Sequence, residues 1–169
     1  DLRNLNLSEL TEEKIYKIPD SISAKDLNLS DTKLSPDSLI ALITKLEPKG
    51  DLDLRNLDLS ELTKEKIYKI SDNISVKDLF LYKTQLSPAS LIALITKLEP
   101  KGDLDLSDLD LSELTEENIT ELPDNMSIQN LDLSDTKLSP ASLITLITKL
   151  KPKDTLTLGN LFSNLNLSE

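Results

Sequence analysis

Leucine and isoleucine recur along this chain with a period of 52 residues. Leu27, Leu79 and Leu131 are 52 residues apart, and residues 38–54 recur letter for letter as residues 90–106. A repeat of this length is typical of a solenoid, in which similar units stack and bury their apolar faces against each other. Positions that agree between copies therefore report the scaffold, and positions that differ can report a second constraint.

Each 52-residue repeat divides into two units that begin in the same way. Residues 52–78 form a unit of 27 residues, which we call a long unit, and residues 79–103 form a short unit of 25 residues. Both open with Leu-x-Leu, an alternation that places the leucines on one face of a short strand. Because such short strands are not stable alone, we expect them to stack into one parallel sheet across the units.

The short unit continues with a helix signal. Ser87 is a favourable N-cap, Pro88 suits the first helical position, and residues 91–98 carry apolar side chains at helical spacing. The same signals recur at Ser35 and Ser139. The sequence therefore predicts one amphipathic helix in each short unit.

The long unit predicts a shorter helix. Ile67, Ile70 and Ile74 follow each other at i, i+3 and i+7, which indicates one apolar helical face. Pro19 and Pro123 interrupt the same segment in two of the three copies, so we expect the helix to end there.

The strand-turn-helix unit resembles the leucine-rich repeat. Its pattern L-x-L-x-x-N-x-L is matched by residues 27–34, 79–86 and 131–138, with threonine at the Asn position. The convex side is similar to ribonuclease-inhibitor-like or bacterial effector-type repeats. The resemblance implies an α/β solenoid, a horseshoe arc with a concave parallel sheet and convex helices. Residues 1–169 would then form a single domain of about six to seven units alternating between 27 and 25 residues.

The long units depart from this pattern and leave a local alternative open. Leu57 occupies the Asn position, so the turn's backbone groups need other partners. Leu52, Leu57 and Leu62 are five residues apart, which also resembles a pentapeptide-repeat coil. That run is short and is interrupted by a predicted helix, which favours the leucine-rich repeat.

The ends of the chain do not coincide with the ends of a unit. Leu2 corresponds to Leu54, and residues 165–169 repeat residues 5–9 as Leu-Asn-Leu-Ser-Glu. We expect the chain to be a fragment of a longer protein.

One copy differs from the others on the predicted concave face. The residues between and after the paired leucines are Asn28, Ser30 and Asp31 in the first short unit and Asp132, Ser134 and Asp135 in the third. The middle unit has Phe80, Tyr82 and Lys83 instead. Exposed aromatic side chains on a rigid sheet are typical of a binding hot spot. Neutral drift or a packing patch would produce the same substitutions.

The predicted site combines these aromatics with the concave residues of the adjacent long units. The flanking residues are Asp53, Arg55 and Asn56 on one side and Asp105 and Asp108 on the other. An apolar centre with an acidic rim is suited to a basic partner protein.

Composition narrows the class of function. The net charge of −11 argues against nucleic acid or an anionic membrane surface as the partner. The chain has no His and no Cys, which removes the usual Ser and Cys nucleophile systems. We therefore predict a protein-interaction module that acts as a monomer or weak oligomer, and expect no enzyme activity, catalytic residue, cofactor or metal site.

Two further functions remain open. The chain could be a structural spacer of a larger bacterial effector, or a GTPase-activating regulator in which Arg55 assists another protein's site. Heavy use of Lys, Asn, Ile and Ser fits an AT-rich genome, such as that of an intracellular bacterium. A cytoplasmic protein and one secreted into a host cell are both compatible with the sequence.

Overall fold

The computed structural model describes residues 1–160, which form strands and helices in strict alternation. The strands are Leu27–Asn28 (β1), Asp51–Asp53 (β2), Asp78–Phe80 (β3), Asp103–Asp105 (β4), Asn130–Asp132 (β5) and Thr155–Thr157 (β6). The helices are Glu12–Ile15 (α1), Pro36–Leu46 (α2), Lys64–Ile67 (α3), Pro88–Leu98 (α4), Glu116–Thr120 (α5) and Pro140–Leu150 (α6). The predicted restart at residues 165–169 lies outside the described residues.

All six strands belong to one open parallel sheet in the order β1-β2-β3-β4-β5-β6. Leu52 of β2 lies opposite Leu79 of β3, and Leu79 lies opposite Leu104 of β4. The paired leucines therefore stack from unit to unit, with successive strands about 4.8 Å apart. The predicted α/β solenoid with a parallel sheet is confirmed.

The core between the sheet and the helices is aliphatic. Among the described residues, the buried cluster contains only Leu, Ile, Val, Ala and one Met side chain. Leu52, Leu54, Leu79 and Leu81 are fully buried, whereas Phe80 between the last two is not part of this cluster. The aromatic side chains of the described residues consequently lie at the surface or at its margin. No helix in the described part of the chain is both long and apolar enough to cross a membrane.

The long helices begin where their caps predict. Ser87 accepts a hydrogen bond from the Ser90 N–H at 3.2 Å, and Pro88 is the first residue of α4. The buried Ser90 hydroxyl then donates to the Leu62 carbonyl at 2.5 Å, which ties the helix to the preceding long unit. The helix ends at Leu98, and the C-cap residue Glu99 that follows it has a left-handed φ of 43°. Equivalent caps start α2 and α6.

The long-unit helices are shorter than the isoleucine spacing indicates. Helix α3 ends at Ile67, and the buried Ile70 and Ile74 lie in the turns that follow it. The Ile70 N–H donates to the Ile67 carbonyl at 3.0 Å, and the Ile74 N–H donates to the Ser71 carbonyl at 3.3 Å. Ser71 stands where the other copies have proline, so proline is not what ends these helices.

The turns of the long units retain buried leucines without forming a pentapeptide-repeat coil. Leu57, Leu59 and Leu62 are buried in irregular turns between β2 and α3. In the short units a threonine takes the Asn position, and Thr84 donates its hydroxyl to the Leu81 carbonyl at 2.8 Å. In the long unit, the Leu57 N–H donates to the Leu54 carbonyl at 3.4 Å.

Two glycines permit a close approach between successive units. A Cβ on Gly102 would lie 2.0 Å from Asp78 Oδ1, and the same holds for Gly50 and Asp26. The Asp78 carboxylate thereby reaches the Asp103 N–H at 2.7 Å. In the third repeat, both partners differ at these positions, which are Asn130 and Asp154.

Candidate binding surface on the parallel sheet

The sheet face opposite the helices carries the side chains that alternate with the buried leucines, and we call it the concave face. Its central row consists of Asn28, Asp53, Phe80, Asp105, Asp132 and Thr157. Its edge row, two residues earlier in each strand region, consists of Asp26, Asp51, Asp78, Asp103, Asn130 and Thr155. Phe80 thus lies between two carboxyl-bearing positions, opposite Asp53 on one side and Asp105 on the other.

A recurrent hydrogen bond holds the chain at the ends of β1, β2, β4 and β5. The central-row Asp or Asn accepts the backbone N–H of the residue two positions later. The bonded pairs are Asn28 with Ser30 (3.0 Å), Asp53 with Arg55 (3.1 Å), Asp105 with Ser107 (3.0 Å) and Asp132 with Ser134 (2.9 Å). Phe80 has no acceptor, so the Tyr82 N–H has no hydrogen-bond partner within residues 1–160.

The turn that follows each strand requires a left-handed backbone, which suits Asn and Asp better than other non-glycine residues. The residues at this position are Asn4, Asp31, Asn56, Lys83, Asp108 and Asp135, with φ between 55° and 60°. Lys83 is the one member of this set without a short polar side chain. The middle unit therefore departs from the scaffold at the backbone as well as at the surface.

The two aromatic side chains are half-buried on the concave face, outside the aliphatic core. The Arg55 guanidinium carbon lies 5.7 Å from the centroid of the Phe80 ring, and Lys83 Nζ lies 4.7 Å from that of Tyr82. The Tyr82 hydroxyl and then Asp108 raise the pKa of Lys83. Lys83 Nζ is 3.4 Å from the Asp108 carboxylate. The structure thus brings the predicted aromatics and lysine together at one place.

Asp53 occupies a different environment from its predicted place on an exposed rim. Arg55 donates to both oxygens of the Asp53 carboxylate, at 2.9 and 2.6 Å, and Asn28 donates to Oδ2 at 2.8 Å. The Asp53 side chain is consequently only 6% exposed. This hydrogen bonding raises the pKa of Arg55. Asn56 is exposed beside this pair.

The edge row is an acidic feature that the sequence analysis did not single out. Asp51 and Asp78 lie opposite each other on neighbouring strands. Burial and the nearby Asp78 carboxylate raise the pKa of Asp51. Lys77 pairs with the buried Asp78 at 2.8 Å. The signal was present in the sequence, since an Asp directly precedes the Leu-x-Leu of four successive units.

A shallow concavity of about 380 Å³ opens beside Phe80 on the side of β4 and β5. Phe80, Asp103, Asp105 and Asp132 contribute to its lining. The described residues contain no group of three or more His, Cys, Asp or Glu side chains arranged to hold a metal ion. The surface at this concavity combines an aromatic ring with carboxylates.

Comparisons with protein-family models, with curated proteins and with solved structures find no match for this chain. The leucine-rich repeat resemblance therefore remains a prediction that rests on the motif of residues 27–34, 79–86 and 131–138.

Proposed function

We propose that this chain is a protein-interaction module that binds a partner through the concave face around Phe80 and Tyr82. The observation that carries the proposal is the departure of one short unit from the other two at positions 80, 82 and 83. The middle unit gives up the carboxyl or amide acceptor, the small serine and the short polar residue of the left-handed turn. These changes remove a hydrogen bond at the strand end and place Lys83 in a strained left-handed conformation. Because they do not help the chain to fold, they favour selection for binding.

The energetics of such a surface support the proposal. Phe80 is held on a strand between two neighbours, and Tyr82 follows it two residues later, after the buried Leu81, so little conformational freedom is lost on binding. An aromatic anchor of this kind commonly contributes about 2 kcal/mol or more to a complex. Two adjacent anchors are enough to dominate the affinity of a small interface.

We further propose that the units are leucine-rich repeats of the ribonuclease-inhibitor-like or bacterial effector type. The support is the match of residues 79–86 to the family pattern, together with a strand and a helix in each short unit.

The chain itself supplies the variants that test the function. The concave variant, Phe80→Asn/Tyr82→Ser/Lys83→Asp, gives the middle unit the residues of the first short unit. The convex variant, Tyr16→Thr/Tyr68→Thr, removes two exposed aromatics from the helical side and uses the residue found at position 120. Both substitutions are already tolerated elsewhere in this scaffold.

The experiment is quantitative affinity capture from lysate with the wild-type chain, the concave variant and the convex variant immobilised at equal density. We expect proteins captured by the wild type to be retained by the convex variant and lost, by tenfold or more, from the concave variant. Circular dichroism establishes that all three are folded. Equal capture by the wild type and the concave variant would contradict the proposal and favour the structural spacer.

A further inference from the structure

The charge around Phe80 is unequal on its two sides. Towards β2, Asp53 is neutralised by Arg55 in a two-point ion pair. Towards β4 and β5, Asp105 and Asp132 each use Oδ1 to accept hydrogen bonds from a following serine. Within residues 1–160 no hydrogen bond reaches their Oδ2 atoms and no ion pair includes either residue.

The contact of Arg55 with Phe80 and Asp53 shows which kind of side chain can bind on the β4 side of Phe80. The Arg55 guanidinium lies 5.7 Å from the Phe80 centroid while it binds the carboxylate of the adjacent central-row residue, Asp53. The same ring faces a second central-row carboxylate, Asp105, across the next strand pair. Arg55 attracts Asp105 only at longer range, and within residues 1–160 no cation forms an ion pair with Asp105 on the β4 side.

Building on the proposed function, we propose that the concavity beside Phe80 receives a lysine or arginine side chain from the partner protein. The methylene stem packs on the Phe80 ring, and the charged head lies between the free oxygens of Asp105 and Asp132. Long cationic side chains combine an apolar stem with a charged end, which matches a surface made of a ring and carboxylates. Phosphate-bearing ligands are disfavoured because Asp103 adds a third carboxylate to the lining.

The test uses a defined probe, the peptide acetyl-Gly-Arg-Gly-Arg-Gly-amide, titrated against ¹⁵N-labelled protein by NMR at low salt. Its control is the same peptide with citrulline, which keeps the shape and removes the charge. The protein variant is Asp105→Asn/Asp132→Asn. Asparagine keeps the strand-end hydrogen bond, as Asn28 shows with Ser30 at 3.0 Å.

A second protein variant controls for net charge. Glu113→Gln/Glu117→Gln changes the charge by the same two units at exposed positions away from the concave face. We expect the arginine peptide to shift the amides of β3 to β5 and the citrulline peptide to leave them unchanged. The Asp105/Asp132 variant should bind at least fivefold more weakly, while the Glu113/Glu117 variant stays within twofold of the wild type. Equal weakening in both variants, or shifts spread over the helices, would overturn the inference.

The same variant separates this inference from the proposed function. If partners captured by the wild type are lost from the concave variant but kept by Asp105→Asn/Asp132→Asn, the interaction surface stands and the cation site fails. If both variants keep the partners, the proposed function fails as well.

Discussion

Replacing Arg55 with alanine should destabilise the fold far more than the same change at Arg3. The two arginines form matching two-point pairs with the Asp two residues earlier, with closest distances of 2.6 Å for Asp53–Arg55 and 2.7 Å for Asp1–Arg3. The pairs differ in burial. The Asp53 side chain is 6% exposed and the Asp1 side chain is 56% exposed.

The magnitude follows from that difference. An exposed pair contributes about 0.2–1 kcal/mol, whereas removing one partner from a fully buried pair costs about 3–5 kcal/mol. Arg55 is 43% exposed, so water can partly solvate Asp53 once the guanidinium is gone. We expect Arg55→Ala to lower the free energy of unfolding by about 2 kcal/mol and Arg3→Ala to lower it by less than about 0.5 kcal/mol.

Urea unfolding followed by circular dichroism at 222 nm measures both losses. Arg55→Ser is a useful third variant, because Ser107 at the equivalent position donates its hydroxyl to Asp105 at 2.5 Å. It should lose less stability than Arg55→Ala. If Arg55→Ala and Arg3→Ala cost the same within about 0.5 kcal/mol, the reasoning from the burial of Asp53 is wrong.

Two further outcomes test other parts of the structure. The hydrogen bond from Lys137 is the main cause that lowers the pKa of Asp110 to about 2. This interaction therefore stabilises the fold fully at pH values above the ordinary pKa of 3.8, and the stabilisation is lost as the pH falls through about 2. Because Asp110 is 59% exposed, we expect Asp110→Asn to cost only about 0.5 kcal/mol at pH 6 and a small fraction of that near pH 2. A loss of stability that does not change with pH would refute this. Gly102→Asp should displace the buried Asp78 carboxylate and cost about 2 kcal/mol in urea unfolding. Adding Asp78→Asn should recover most of that loss, as in the third repeat, and a double variant no more stable than the single one would contradict the close-approach argument.

The architecture could be predicted because its signals are local. Ser87 and Pro88 define the start of α4 within one turn of the chain, and the Leu-x-Leu alternation defines the strand. Repetition then places equivalent strands side by side. The one-turn length of α3 was not predicted, because buried Ile70 and Ile74 satisfy a helical spacing while lying in turns.

The candidate surface could be predicted in its composition but not in its electrostatics. The substitution of Phe80 and Tyr82 for polar residues is visible by comparing copies. The burial of Asp53 was not visible, because it depends on Asn28 of the preceding unit as well as on Arg55. The lack of a partner for the Tyr82 N–H within residues 1–160 was not visible either, because it depends on the strand-end hydrogen bond that Phe80 cannot accept.

The sequence by itself determined the repeat, the parallel stacking of its strands and the position of the long helices. These follow from periodicity and caps that act within a few residues. Only the tertiary structure decided which carboxylates are neutralised and which remain open, and why Gly102 lies where a side chain would strike Asp78. The physical reason is that residues 24 to 27 positions apart in the chain become neighbours at strand spacing, where burial and charge depend on the partner unit.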